Sequence, residues 1–111
     1  MNVTTRTAGD LDLPFLRGVD AHLPPQDLAH LVSLGRIMVA VVEEECVGCL
    51  RWGMFWDQVP FMNLLFVVPK WRRQGIGATL VTAWEMSHLA VGHTMVFTST
   101  VSTETAQHLY R

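Results

Sequence analysis

Charge is scarce in this sequence: 16% of its 111 residues are Asp, Glu, Lys or Arg, while 50% are hydrophobic. Such a chain has the material for a core and lacks the solvated character of a disordered tail. A basic excess is missing as well. Eight Lys and Arg against ten Asp and Glu leave a net charge of −2, which speaks against a nucleic-acid binder. No apolar run approaches the roughly 20 residues needed to span a bilayer. The opening MNVTTRTAGDLDL lacks the basic-then-apolar order of a signal peptide, so the expected compartment is the cytoplasm. Repeats and low-complexity stretches are absent, and the length predicts a single domain over residues 1–111.

Cysteine is also rare. Cys46 and Cys49 form C-V-G-C, but neither a second such pair nor a His pair at zinc-finger spacing accompanies them. They lie in a strand-like run, VGCLRWGMF, where residues three apart face opposite sides. They are read as ordinary buried or edge thiols, and no metal is expected.

What is present has clear periodicity. Val3 to Thr7 predicts a short strand. Asp10 stands as an N-cap ahead of Leu11, Leu13, Phe15, Leu16 and Val19. Pro24 and Pro25 break that helix, and Gln26 to Leu34 forms the next, ended by Gly35. Ile37 to Val42 is β-branched and apolar, a buried strand. Glu43, Glu44 and Glu45 make a solvated hairpin tip, with an amine-binding role as the less favoured reading. Val47 to Phe55 returns, Asp57 to Pro60 turns, and Phe61 to Val68 runs as a nearly continuous apolar strand of mid-sheet character. A helix follows from Gly75 to about Val91, with Ile76, Leu80, Trp84, His88 and Val91 on one side. Thr94 to Thr98 is a strand, and Ser102 caps a last helix over Thr103 to Arg111. The order β-α-α-β-β-β-α-β-α predicts an α/β chain, an α+β mixed sheet with helices covering it.

The chemistry is concentrated in VVPKWRRQGIGATL, residues 67–80. A phosphate loop of the GxxxxGK[ST] kind does not occur, and a dinucleotide GxGxxG would need glycine where Leu80 stands. What remains is R-R-Q-G-I-G-A between a central strand and a helix. The first amides of a helix lack intrahelical partners, and glycine at 75 and 77 clears side chains from their approach. The helix dipole together with Arg72 and Arg73 favours an anion such as a pyrophosphate. The competing reading is a tight turn whose glycines serve geometry alone.

LLFVVPKWRRQGIGATLV resembles motif A of the GCN5-related N-acetyltransferase (GNAT) family: an apolar strand, V-x-P at Val67 and Pro69, then R-x-x-G-x-G at Arg72, Gly75 and Gly77. GCLRWG is similar to the family's third strand, and TSTVSTETAQHLYR to its motif B. The resemblance covers nearly all of the chain and extends to a bacterial subgroup of uncharacterised members. It implies a GNAT-like acyl-CoA N-acyltransferase fold and acetyl-CoA as co-substrate. Backbone amides of Arg73, Gln74, Gly75, Ile76, Gly77 and Ala78, with Arg72, would hold the pyrophosphate. The preceding strand would splay at a bulge, so that Leu65, Phe66 and Val67 pair with the pantetheine arm. The Val67 amide would stabilise the oxyanion. Tyr110, at the family's L-Y position, would protonate the departing thiolate. Transfer would go directly to a primary amine of an acceptor that the resemblance does not name.

Three departures follow. Thr103 stands where the family often carries Asn. Asn63 and Thr98 replace the carboxylate that some members use as a base; Asp57, Glu104 and His108 are candidates by proximity alone, and the base is unassigned. The sequence breaks off inside a helix at AQHLYR, so the final strands of the fold are expected beyond it, and an exposed sheet edge would favour a homodimer. Asn63, a polar residue in an apolar strand, and Trp56, in an aromatic group with Trp52, Phe55 and Phe61, are candidate acceptor contacts. The alternative function is a non-catalytic acyl-CoA-binding sensor or regulatory module; a weaker third is a structural domain without a ligand.

Overall fold

A β-branched, apolar run before a short acidic turn and the longer strand after it form the centre of the fold as an antiparallel hairpin. The computed structural model describes residues 2–20, 23–55, 59–90 and 97–98. Its strands are β1 (Thr4–Thr7), β2 (Ile37–Val42), β3 (Glu45–Phe55), β4 (Val59–Val67) and β5 (Phe97–Thr98), and its helices α1 (Leu13–Val19), α2 (Pro25–Ser33) and α3 (Ile76–Ala90). They form one sheet in the order β1-β2-β3-β4-β5. The first four strands pair antiparallel, and β5 lies parallel to β4 after the α3 crossover. The expected α/β order holds through β5, and the helix expected at 103–111 lies outside the described residues. The acidic turn is one residue shorter than expected. Glu43 and Glu44 have φ of 50° and 68°, as a two-residue I′ turn requires, and Glu45 already belongs to β3.

Two apolar layers sandwich the sheet. On one face Ile76, Leu80 and Trp84 of α3 pack on Ala40, Leu50 and Met62. On the other, Leu16 of α1 with Leu28 and Val32 of α2 packs on Ile37, Val39 and Cys49. The stripe predicted for α3 is therefore its buried side. No described helix is long and apolar enough to cross a membrane.

Two register shifts interrupt the ladders, between Ala40 and Val41 against β3 and between Arg51 and Trp52 against β4. In the first, Val41 pairs with Cys46 and Ala40 with Gly48, so Val47 is the extra residue of β3. Here the expectation from plain alternation fails. Cys46 and Cys49 face the same α1/α2 layer, because one inserted residue reverses side-chain parity beyond it. Cys49 is buried, and burial raises its thiol to about 12; that makes it a core residue rather than a reactive one. In the second shift, Arg51 pairs with Leu64 and Trp52 with Met62, which makes Asn63 the extra residue of β4.

The entry to α1 also departs from expectation. Asp10 opens a 3-10 turn over Asp10–Asp12 rather than capping the helix. The carboxylate that ties this turn is Asp12, which reaches back to accept the N–H of Gly9, just ahead of the 3-10 turn, at 2.8 Å and takes a two-pronged contact from Arg6 at 2.6 and 2.9 Å. The Arg6 guanidinium, above all, holds this carboxyl down at about 2, against an ordinary 3.8. The folded form thus favours the carboxylate, a contribution present above the unfolded value and lost as pH falls through about 4 towards 2. Arg6 is 51% exposed, so solvent screening limits the pair to about 1–2 kcal/mol. Acid unfolding followed by circular dichroism should show that slope in the native chain and a flatter one in Asp12→Asn. Equal slopes would count against the assignment.

Candidate functional site

The turn between β4 and α3 is built as the sequence predicts, and its parts converge. After a 3-10 turn at Pro69–Trp71, Arg73 takes φ of 64° and Gly75 φ of 81°. This left-handed conformation suits glycine and strains other residues. A Cβ built on Gly75 meets no atom within 4 Å: the space before α3 is open. Thr79 is the first helical residue whose N–H bonds back, to the Gly75 carbonyl at 2.9 Å. The amides of Ile76, Gly77 and Ala78 therefore precede the helix's own ladder and form its positive end. A groove of about 390 Å³ runs along Ala78, Thr79, Thr82 and Ala83, continuing down the exposed side of α3.

The strand leading into this turn presents backbone to the same region. The Val68 N–H donates to the Val47 carbonyl at 2.8 Å, and the carbonyl of Phe66 lies against Gly48, 2.9 Å from a Cβ built there. Hydrogen-bonded and non-bonded pairs alternate along an antiparallel ladder. Phe66 and Val68 thus face β3, whereas Leu65 and Val67, in register with Leu50 and Gly48, turn their N–H and C=O to the opposite edge. Among the described residues β5 meets that edge only at Phe61 and Met62, ahead of the Asn63 bulge. The splaying expected beyond the bulge concerns residues from 99 onward, outside the described residues.

Arg72 has a role that the sequence did not suggest. Its Nε donates to the Val67 carbonyl at 2.8 Å, and its guanidinium lies 5.6 Å from the centre of the Phe66 ring. It ties the turn to the end of β4, leaving Val67 fixed with its amide outward. Trp52, one of the aromatic group, packs against the core beside Trp84 and His88, at 6.4 and 4.3 Å between ring centres. Trp56, Thr103, His108 and Tyr110 lie outside the described residues. Reading the sequence also missed the half-buried pair of Arg51 with Asp20, at 2.6 Å. The signal available was a lone arginine in an apolar strand, which needs a carboxylate somewhere.

The model of the acetyltransferase (GNAT) domain matches residues 33–111, well over half of the chain. The chain belongs to the GNAT family. Among curated proteins no sequence matches it. Solved structures share the fold at low identity. N-acetylglutamate synthase from Neisseria gonorrhoeae, complexed with coenzyme A and N-acetyl-glutamate, superposes with a TM-score of 0.82 at 17% identity over 99% of this chain. This chain spans only 27% of that protein's length. PaiA N-acetyltransferase from Thermoplasma acidophilum, in complex with coenzyme A, gives 0.80 at 13% identity, covering 99% of this chain and 87% of its own. An aminoglycoside acetyltransferase from an uncultured soil metagenomic sample, in complex with sisomicin, gives 0.69 at 23%, covering 97% and 82%. At these identities the likeness to solved structures shows the fold; the family match is what supports acetyl transfer in general.

Proposed function

We propose that residues 1–111 act as one domain, in the cytoplasm, transferring an acetyl group from acetyl-CoA directly to a primary amine. The observation that carries this is the meeting of two backbone features at one turn. The outward Leu65 and Val67 edge of β4 runs into an open left-handed Gly75 and the free amides of α3. The residues fit a CoA thioester: an N–H cluster for the pyrophosphate, a strand edge for the amide-bearing arm, and a groove of small side chains beside them.

When bound, the thioester supplies the activated acetyl group. The Val67 N–H meets the negative charge that develops on the acyl oxygen, held in place by the Arg72 bond to the same residue's carbonyl. As the amine nitrogen bonds to the acyl carbon and the carbon–sulfur bond breaks, Tyr110 gives its proton to the thiolate. Solvent carries away the proton that the amine sheds. Leu65, Phe66, Gln74 and Thr103 complete the proposed CoA contacts, and Asn63 and Trp56 the acceptor side.

The test is a panel of primary amines with acetyl-CoA, alongside CoA-induced thermal shift. Tyr110→Phe should lower kcat by roughly 10²-fold, the lower end of general-acid contributions, while CoA affinity stays unchanged. CoA binding without turnover of any amine would make the chain an acyl-CoA-binding module instead. No thermal shift with CoA would reject both readings.

A further inference from the structure

Arg36 is a cation without a carboxylate partner among the described residues. The ion pairs among the described residues join Arg6 to Asp12, Arg51 to Asp20 and Lys70 to Glu45, and none includes it. It follows the left-handed Gly35 that ends α2, φ 73°, and stands at the mouth of β2. Its carbonyl accepts the Trp52 N–H at 3.0 Å, and its guanidinium lies 5.0 Å from the centre of the Trp52 ring. Backbone pairing and a ring face thus hold a partly buried positive group in one place.

A second donor points at the same spot. Gly53 has no side chain, and a Cβ built on it would stand 3.3 Å from Asn63 Nδ2 and 4.0 Å from Arg36 Nη1. The amide and the guanidinium therefore lie within about 7 Å of each other across the glycine. Two charge-assisted bonds of about 2.8 Å, one to each oxygen of a carboxylate, bridge donors roughly that far apart. Among the described residues no protein acceptor takes a hydrogen bond from either side chain. The bulge places Asn63 two residues before Leu65, about 7 Å along the strand from the outward backbone edge described above.

We infer that the amine acceptor carries a carboxylate, and that Arg36 and Asn63 hold it over Gly53. This rests on the proposed acetyl transfer and narrows its acceptors to amino acids or similar amine–carboxylate compounds. An uncharged amine would leave two donors of a partly buried site without a partner, and a planar, fixed guanidinium suits a carboxylate's two oxygens.

The experiment has two arms, run on the full chain. Turnover with acetyl-CoA is compared for L-alanine, L-alaninamide and ethylamine. Separately, N-acetyl-L-alanine and N-acetyl-L-alaninamide are titrated into the CoA-saturated protein and followed by NMR. The expected result is a preference of at least about tenfold for the acid over the amide, in kcat/KM and in Kd, as one charge-assisted bond supplies. Arg36→Gln should erase that preference, and Asn63→Ala should reduce it. Gly53→Ala, which sets a methyl between the two donors, should reduce it without removing either. Equal or equally absent binding of acid and amide would overturn the inference, as would a preference that survives Arg36→Gln. Equal turnover of all three amines would do the same while leaving acetyl transfer intact. Acid-selective binding with no turnover of any amine would sustain the carboxylate site and reject the proposed transfer.

Discussion

Gly75→Val is expected to weaken CoA binding by at least about 100-fold while leaving a folded domain. Two costs are separable. Holding an L-residue in the left-handed region costs about 1–2 kcal/mol, and a β-branched one suits it least. Gly75 has φ of 81°, so the substitution incurs that cost in stability, a modest part of the 5–15 kcal/mol typical of a domain. The second cost falls on the ligand. A Cβ there meets no protein atom within 4 Å, so the valine projects into the open space ahead of the Ile76, Gly77 and Ala78 amides. Each hydrogen bond lost to a charged phosphate is worth about 1.5–3 kcal/mol, and two of them suffice for the expected loss. Gly75→Ala carries the same backbone strain with a smaller obstruction and should fall between. Titration calorimetry with CoA, beside thermal melts, separates the two. Native affinity in Gly75→Val would end the reading of this turn as a phosphate cradle.

Trp84→Ala should be the most destabilising single change, by about 3–5 kcal/mol. Trp84 is completely buried and packs in one cluster with Leu50, Met62 and Leu80; Trp52 and His88 stand at its edges. Alanine leaves a cavity between α3 and the sheet that neither rigid element can close. For a chain of this size the melting temperature should fall by more than about 12 °C. Its indole Nε1 is buried without a hydrogen-bond partner among the described residues. Trp84→Phe removes that orphaned donor along with the extra ring, and the two effects oppose each other. The phenylalanine variant should therefore lose no more than about 2 kcal/mol. A Trp84→Ala melt within a few degrees of the parent would show that α3 is held elsewhere. Because α3 begins at the Gly75 turn, loosening it should also weaken CoA binding, whereas Gly75→Val should weaken binding more with a smaller fall in melting temperature, the several degrees that about 1–2 kcal/mol of strain implies. The pair of variants thus distinguishes damage to the turn from damage to its support.

Most of the architecture was legible because its signals are local. Helical spacing from Ile76 to His88 marks the buried side of α3, a β-branched run marks β2, and a nearly continuous apolar run marks β4. Gly35 and Gly75 do what glycine does at a helix end and at a left-handed turn. The errors have a common cause. Simple alternation puts Cys46 and Cys49 on opposite faces, and Asp10 reads as the cap because it stands first. In each case the outcome depended on a partner elsewhere in the chain: β2 opposite the Val47 bulge, and Arg6 opposite Asp12. Asn63 is an oddity of composition in the sequence, but its place in a bulge depends on the pairing of β4 with β3.

The spacing V-x-P, R-x-x-G-x-G is enough to specify the turn, the helix that follows and the membership in the GNAT family. Those features are short-range: a turn's backbone angles and a helix's first amides depend on neighbours a few residues away. Which backbone groups of β4 face outward, and that Arg72 reaches back to Val67, depend on the assembled fold. It also brought Arg36, Gly53 and Asn63, from three different strands or their ends, to one place. Strand parity persists until a bulge resets it, and where a bulge falls is settled by pairing between strands, which no single stretch of sequence contains.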